Sequence, residues 1–150
     1  MILRNFEKLA KTPLRHDALE IIEAGYKSIA IESIFRSAIE IDQDTLTISR
    51  QTFDLKDYKR VFVVGVGKGS ALAAKEVERI LSPSRIYAGL VIDLTRRRMK
   101  KIQSLAGTHP LPSPKNIRAT SKLVHLLKQT TADDLVIAII CGGGSALACQ

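Results

Sequence analysis

Apolar residues recur at helical spacing in the first part of the chain. Thr12-Pro13 supplies a capping hydroxyl and a proline at the first helical position, and an apolar stripe follows from Leu14 to Ile29. A second stripe runs from Ile31 to Ile41. We therefore predict a helical lead-in over residues 1–44, with two amphipathic helices packed on a core.

The pattern changes after this lead-in. Residues 45–55 alternate apolar side chains with threonine, which favours β structure. From Val61 onward, short unbroken apolar runs alternate with amphipathic stretches, so residues 45–150 form the strand and helix part of the chain. The runs are rich in β-branched residues, as in strands covered on both faces. We predict strands at 61–64, 87–94 and 135–141, helices at 71–81 and 116–129, and a short apolar piece at 102–106.

Repeated strand–turn–helix units imply an α/β fold, in which a mainly parallel sheet carries helices on both faces. Such sheets bind ligands outside the carboxyl ends of their strands. Two glycine-rich turns, Gly65–Ser70 and Gly142–Ser145, follow strands at that edge. Asp133-Asp134 precedes its strand and lies at the opposite end, so we predict that it is structural charge rather than a paired-carboxylate site.

The first glycine turn, Gly65-Val66-Gly67-Lys68-Gly69-Ser70, matches neither familiar glycine fingerprint. The dinucleotide pattern needs glycine where Ser70 stands, and the P-loop pattern needs glycine and a hydroxyl where Phe62 and Gly69 stand. Its glycines let backbone N–H groups approach an oxyanion, and Lys68 adds a cation at the helix start that can meet a phosphoryl group. A tight turn with a solvated lysine is the alternative, and spacing alone leaves both open.

The second turn holds three consecutive glycines, which is more than one turn needs, and their backbone entropy is costly. The excess indicates close approach of a ligand, with a packing turn as the alternative. Ser145 fits a helix N-cap. His109 lies beside Pro110 in a loop rich in proline, where it can donate to a phosphate or carboxylate, although a lone loop histidine is more often structural or solvent-facing.

The formal net charge of +8 is unevenly distributed. Residues 1–60 hold ten Lys/Arg and ten Asp/Glu, whereas residues 61–150 hold thirteen and five. This excess fits a partner that carries phosphate. The segment Arg96–Lys101 has five cations in six positions, but no aromatic residue interleaves with it, which favours a solvated basic loop over a nucleic-acid site.

The chain has no apolar run of about 18 residues and no secretory signal, which predicts a cytoplasmic protein without a membrane span. Cys141 and Cys149 offer neither zinc-binding spacing nor a disulfide framework. We therefore predict no metal-ligating residues in this chain.

Three segments in this order resemble the glycerate kinase family that makes 2-phosphoglycerate and carries a C-terminal MOFRL domain. They are Val63–Ser70, Gly107–Pro112, and Thr131–Leu147. The resemblance spans most of residues 1–147. It implies a Rossmann-like three-layer domain with a mainly parallel sheet, incomplete at the C-terminus and lacking the MOFRL domain.

The resemblance also implies a kinase that uses ATP and Mg²⁺ to phosphorylate D-glycerate, in a cleft between the Rossmann-like domain and the MOFRL domain. By that likeness, Lys68 matches the catalytic lysine, and which loop holds ATP and which glycerate stays open. The residues implied in nucleotide or substrate binding are Gly65, Gly67, Gly69, Ser70, His109, Pro110, Gly142, Gly143, Gly144 and Ser145.

Some positions depart from the family pattern, with Cys141 in place of serine, Gly69 in place of alanine and Thr108 in place of glycine. The resemblance implies the N-terminal part of a glycerate 2-kinase, which we expect to be inactive unless the missing C-terminal part completes it. A binding module for a phosphate-rich ligand or nucleic acid is one alternative. A truncated product without function is another.

Overall fold

The computed structural model describes residues 2–149. Its amino-terminal part contains three helices, α1 Phe6–Leu9, α2 Pro13–Ser28 and α3 Ile31–Ala38. The predicted cap of α2 is confirmed, because the Thr12 hydroxyl accepts a hydrogen bond from the Arg15 N–H at 3.3 Å. The apolar stripe of α2, however, does not pack on a core within residues 2–149, since Leu14 and Ile21 are 80% and 73% exposed.

A small antiparallel sheet follows, formed by β1 Ile39–Asp42, β2 Thr45–Ile48 and β3 Gln51–Asp54 in that order. The prediction of a helix reaching Ile41 is wrong at its end, because the chain becomes a strand at Ile39, which pairs with Ile48. Ile39 and Ile41 fit the alternation of a strand as well as the stripe of a helix, and β2 provides partners for their backbone. The β structure predicted within residues 45–55 is confirmed as a hairpin.

The main sheet has four parallel strands, β4 Arg60–Val66, β5 Ala88–Asp93, β6 Ile102–Ala106 and β7 Asp134–Ile140, in the order β6-β5-β4-β7. It confirms the predicted strands, and the short apolar piece at 102–106 is itself a strand. Two 3₁₀ turns, Leu55–Asp57 and Pro83–Arg85, lie in connections. The remaining helices are α4 Ser70–Leu81, α5 Pro114–Leu127 and α6 Gly144–Leu147.

Helices cover both faces of this sheet, which confirms the three-layer α/β arrangement. On one face, Val63 and Val91 pack with Ala74 and Val77 of α4, and the small sheet adds Leu46 to the same cluster. On the other face, side chains of β4 and β5 pack against α5 and α6. No helix within residues 2–149 combines the length and apolar character needed to cross a membrane.

The amino-terminal edge of the sheet is closed by an ion pair between β4 and β7. The Arg60 guanidinium donates to both carboxylate oxygens of Asp134, from Nε at 2.9 Å and from Nη2 at 2.6 Å. The guanidinium also lies over the rings of Phe62 and Tyr87, at 5.1 and 5.0 Å from their centroids. Asp134 therefore has a structural role, as its position before a strand predicts.

The Arg60–Asp134 pair makes the free energy of unfolding depend on pH. Hydrogen bonds from Arg60 hold the pKa of the Asp134 carboxyl far below its usual range. Because the folded-state pKa is lowered, the unfolded chain binds the extra proton first as the pH falls. The stability contributed by the pair is therefore present above about pH 4, the ordinary carboxyl pKa, and is lost progressively below it.

We expect Asp134→Asn to reduce the fall in thermal midpoint between about pH 6 and pH 3, since the amide cannot take up that proton. Thermal unfolding followed by circular dichroism at both pH values measures the change. Asp133→Asn is the matched control, because Asp133 is exposed and its pair with Lys59 is a surface contact. Equal pH dependence in the two variants would contradict the prediction.

Candidate functional site

Three loops meet at the carboxyl edge of the main sheet, where the sequence predicts a ligand site. They follow β4, β6 and β7, and each contributes one residue to a common centre. A Cβ placed on Gly143 would lie 2.8 Å from Nε2 of His109 and 3.2 Å from Cε of Lys68. We call these residues the Lys68–His109–Gly143 cluster.

The loops after β4 and β7 are joined through their backbones. The Lys68 N–H donates to the carbonyl oxygen of Gly142 at 2.9 Å, and the Cys141 N–H donates to that of Val66 at 2.9 Å. Gly67 lies between these bonds with φ +118°, and a Cβ there would be 2.3 Å from the Cys141 carbonyl oxygen. Only glycine fits this position, because a side chain would separate the two loops.

The backbone N–H groups at the start of α4 bind acceptors within the protein. Oδ2 of Asp93, at the end of β5, accepts the N–H groups of Gly69 and Ala71 at 3.1 and 3.0 Å. The buried Ser70 hydroxyl donates to the carbonyl oxygen of Ile92 at 3.0 Å. Among the residues of this turn, the Lys68 side chain is the exposed charged group. A lysine held in this way can reach a ligand while the backbone beneath it stays fixed.

The ligand contacts predicted for Gly65, Gly67, Gly69 and Ser70 stay predictions, and the structure gives each residue a local packing role. Gly65 lies inside the sheet, where a Cβ would come within 3.0 Å of Val91 Cγ1. Gly69 is the residue before α4 and has φ +94°. These glycines shape the turn that presents Lys68.

Unlike the turn after β4, the loop after β7 has free backbone N–H groups. The N–H groups of Gly142 and Gly143 donate to no acceptor among residues 2–149. The N-cap of α6 is Gly143, with φ +79°, so the prediction that Ser145 caps this helix is wrong. Ser145 is the second residue of α6 and is exposed. Unpaired N–H groups beside a lysine form a surface that suits an anion.

His109 is held through a buried residue that the sequence reading missed. The side chain of Asn116 is fully buried at the start of α5. Its Oδ1 accepts the Thr108 N–H at 2.9 Å, and its Nδ2 donates to the carbonyl oxygens of Thr108 and Ala146 at 2.9 and 2.8 Å. Asn116 thereby fixes the loop that carries His109 against α6. The His109-Pro110 peptide bond in this loop is cis.

The position of Asn116 relative to Ser113 is a sequence signal for its role. Ser113 caps α5 and Asn116 is the third helical residue, so the two complete a capping box. The usual residue at the third position is Glu or Gln, so the pattern is easily overlooked. Recognising it would have indicated that Asn116 turns back toward the preceding loop.

Cys141 lies behind the cluster with a half-buried side chain. Burial, with a smaller effect from the Asp93 charge, raises the pKa of its thiol. The thiol is therefore protonated at neutral pH, which makes it a poor nucleophile. Cys149 is also free.

Residues 17–150 match a family model described as a domain of unknown function, DUF4147. The chain belongs to the DUF4147 family. The match includes all three loops of the site and every strand of the main sheet.

Curated relatives of this DUF4147 chain include glycerate kinases. It is 25% identical over 148 residues to a glycerate 2-kinase of Picrophilus torridus, covering 97% of this chain and 33% of the relative. It is 27% identical over 124 residues to a D-glycerate 2-kinase of Thermotoga maritima, covering 81% and 29%. A putative hydroxypyruvate reductase of Agrobacterium vitis is 36% identical over 90 residues, covering 59% and 20%. The chain thus spans about a third or less of these relatives.

Two solved structures share the fold of the DUF4147 chain. A crystal structure of a Pyrococcus horikoshii protein superposes with a TM-score of 0.77 at 23% identity, covering 98% of this chain and 31% of that one. A glycerate kinase from Thermotoga maritima superposes with a TM-score of 0.67 at 22% identity, covering 87% and 28%. The α/β architecture is therefore common to all three.

Proposed function

We propose that this chain supplies the phosphoryl-binding part of a glycerate 2-kinase, which transfers a phosphoryl group from ATP to D-glycerate and yields 2-phosphoglycerate. The observation that carries the proposal is the meeting of Lys68 and His109 at the unpaired N–H groups of the glycine loop. The kinase names of several DUF4147 relatives support it.

The chemistry of phosphoryl transfer suits this cluster. The transferring group carries its charge on three equatorial oxygens, and catalysis consists mainly of positioning and electrostatic stabilisation. The Lys68 ammonium supplies positive charge, and the free N–H groups of Gly142 and Gly143 supply fixed donors. Because the Lys68 N–H is bonded to Gly142, the backbone that carries the cation keeps its position relative to these donors. His109 offers Nε2 at the same centre as a hydrogen-bonding group for substrate or phosphate.

The cluster fits a phosphate group of ATP but not a magnesium ion. Mg²⁺ in kinases is usually held by one or two carboxylates together with substrate phosphates. None of the three cluster residues carries a carboxylate, and the oxygens of Asp93 accept the N–H groups of Gly69, Ala71 and Leu94. If Mg²⁺ takes part, a carboxylate ligand has to come from outside this cluster.

The proposal assigns this chain only a share of an active site. A glycerate kinase cleft needs a second wall, and the chain spans about a third of the kinases it resembles. We therefore propose that phosphorylation requires the remaining portion of such an enzyme, including a MOFRL domain, and that the 150 residues alone do not turn over substrate. A cytoplasmic location fits this chemistry and stays a prediction.

Product analysis tests the proposed function. A protein that carries this chain, extended by the remaining portion, is expected to form ADP only when D-glycerate is added, with the phosphate on the 2-hydroxyl as identified by ³¹P NMR. L-Glycerate and the 150-residue chain alone are the controls. Reduction of hydroxypyruvate by NADH without ADP formation would contradict the proposal. Two observations argue against that outcome. Ser70 interrupts the dinucleotide fingerprint, and Asp93, an acid about twenty residues beyond the turn where that fingerprint calls for a ribose-binding acid, accepts backbone N–H groups instead.

A further inference from the structure

A basic cavity lies beside α5, apart from the Lys68–His109–Gly143 cluster. Its volume is about 410 Å³, and it is bounded by the carboxyl end of β6 and by one face of α5. Leu105 and Ala119 provide apolar lining. Its four charged lining residues, all of them cations, are Arg96, Lys115, Arg118 and Lys122.

The fold brings these cations together from two segments. Lys115, Arg118 and Lys122 are three and four residues apart on α5, so they lie on one side of the helix. Arg96 comes from the loop between β5 and β6. All four side chains belong to exposed residues, and the cavity lining includes no carboxylate.

Several cations elsewhere in residues 2–149 have carboxylate partners, whereas the four cavity cations have none. Arg36 and Arg79 bind Glu76, Arg60 binds Asp134, and Arg85 binds Asp44. Among residues 2–149, none of the four cavity cations takes part in an ion pair. Four unpaired like charges around one cavity repel one another, and an anion that enters would relieve that repulsion.

Hydrogen bonds hold the loop that carries Arg96 in place. The buried carboxylate of Glu78 accepts the N–H groups of Lys100, Lys101 and Ile102 at 2.9, 2.7 and 3.1 Å. The Arg97 N–H donates to the Ser104 hydroxyl at 3.1 Å. The basic segment is therefore an ordered loop in which Arg96 lines the cavity. An anchored loop loses little entropy when its cation binds.

We propose that this cavity binds a small molecule carrying an oligophosphate group. The four cations call for a ligand with several negative charges, and lysine and arginine side chains are the groups that bind phosphate oxygens. A cavity of this volume lies within the range of small-molecule sites. Nucleic acid fits less well, because no aromatic residue lines the cavity for base stacking. The site shares no residue with the Lys68–His109–Gly143 cluster and does not depend on the kinase proposal.

Calorimetric titration with inorganic tripolyphosphate at about 0.15 M salt, where exposed charges are largely screened, tests the site. We expect saturable binding at the cavity. The double variant Arg118→Gln/Lys122→Gln should bind about tenfold or more weakly, because it loses two charge-assisted contacts. All the substituted residues are exposed, and thermal unfolding of each variant verifies that the fold is retained.

Two controls separate the site from general charge and from the kinase cluster. Lys8→Gln/Lys11→Gln removes the same charge from exposed positions near the amino terminus and should change the affinity less than about twofold. Lys68→Ala removes the cation of the kinase cluster, so tripolyphosphate binding that persists in this variant and weakens in Arg118→Gln/Lys122→Gln belongs to the cavity. ATP should bind with similar affinity if the phosphates are what is recognised.

Four results would overturn the proposal. They are the absence of saturable binding to the unmodified chain, equal losses in the two double variants, a loss in Lys68→Ala that Arg118→Gln/Lys122→Gln does not share, and tighter binding of a duplex oligonucleotide through Arg118 and Lys122. The third would place the anion at the Lys68 cluster instead. The kinase proposal fails separately, through the absence of D-glycerate phosphorylation.

Discussion

Replacing Lys68 with alanine is expected to lower kcat/KM for phosphorylation of D-glycerate by about 100-fold or more, the effect typical of a lost transition-state charge contact. Lys68 is the exposed cation of its turn, and its Cε lies near the Gly143 position beside His109. Its removal leaves the transferring phosphoryl group without that positive charge. A coupled assay of ADP formation with the extended protein described above measures the change.

Lys75→Ala is the matched control for Lys68→Ala. Lys75 is also exposed and lies on α4, but it is not part of the cluster, so its loss should change kcat/KM by less than about twofold. The thermal midpoint of Lys68→Ala should match that of the unmodified protein, because the Lys68 side chain has no ion pair among residues 2–149. A loss below about tenfold would count against Lys68 as the phosphoryl-binding cation.

Gly67→Ala is expected to destabilise the fold by about 3 kcal/mol or more, an effect that belongs to backbone strain combined with overpacking. Its Cβ would lie 2.3 Å from the Cys141 carbonyl oxygen, and its φ of +118° is unfavourable for any L side chain. Relief of this clash requires the loops after β4 and β7 to separate. That separation would also break the bond from the Lys68 N–H to Gly142.

Gly142→Ala provides the comparison for Gly67→Ala within the same pair of loops. A Cβ on Gly142 meets nothing within 4 Å, and its φ lies outside the left-handed range. We expect a change within about 0.5 kcal/mol, as for most surface substitutions. Chemical denaturation of both variants measures the difference. Equal stability would mean that the two loops are not in the contact described above.

The neighbouring strands β4 and β7 of the main sheet could be predicted from the sequence because each contains an unbroken apolar run that ends at glycine. Val61–Val64 and Leu135–Cys141 need no knowledge of their partners to be recognised. The strand Ile39–Asp42 could not be recognised in this way. Its isoleucines continue the apolar stripe of α3, and only pairing with β2, which lies later in the chain, selects the extended form.

The members of the site were predictable one at a time, whereas the residues that support them were not. Glycine turns after parallel strands are expected at one edge of a sheet, so the meeting of Lys68 and Gly143 follows from the topology. Asn116 and Glu78 look like ordinary polar positions on helices. Their partners Ala146 and Ile102 lie 30 and 24 residues away, a separation that no local pattern encodes.

The pairing of β4 with β7 has a consequence for how the chain is made. The two strands align along their whole length, from Arg60 opposite Asp134 to Val66 opposite Ile140. During synthesis, the backbone N–H and C=O groups along one edge of the apolar strand β4 therefore stay unpaired until β7 has left the ribosome. Strands so far apart in sequence pair slowly. An open edge of this kind recruits other nascent strands. Chaperone contact with the emerging chain should thus be concentrated between the appearance of β4 and that of β7.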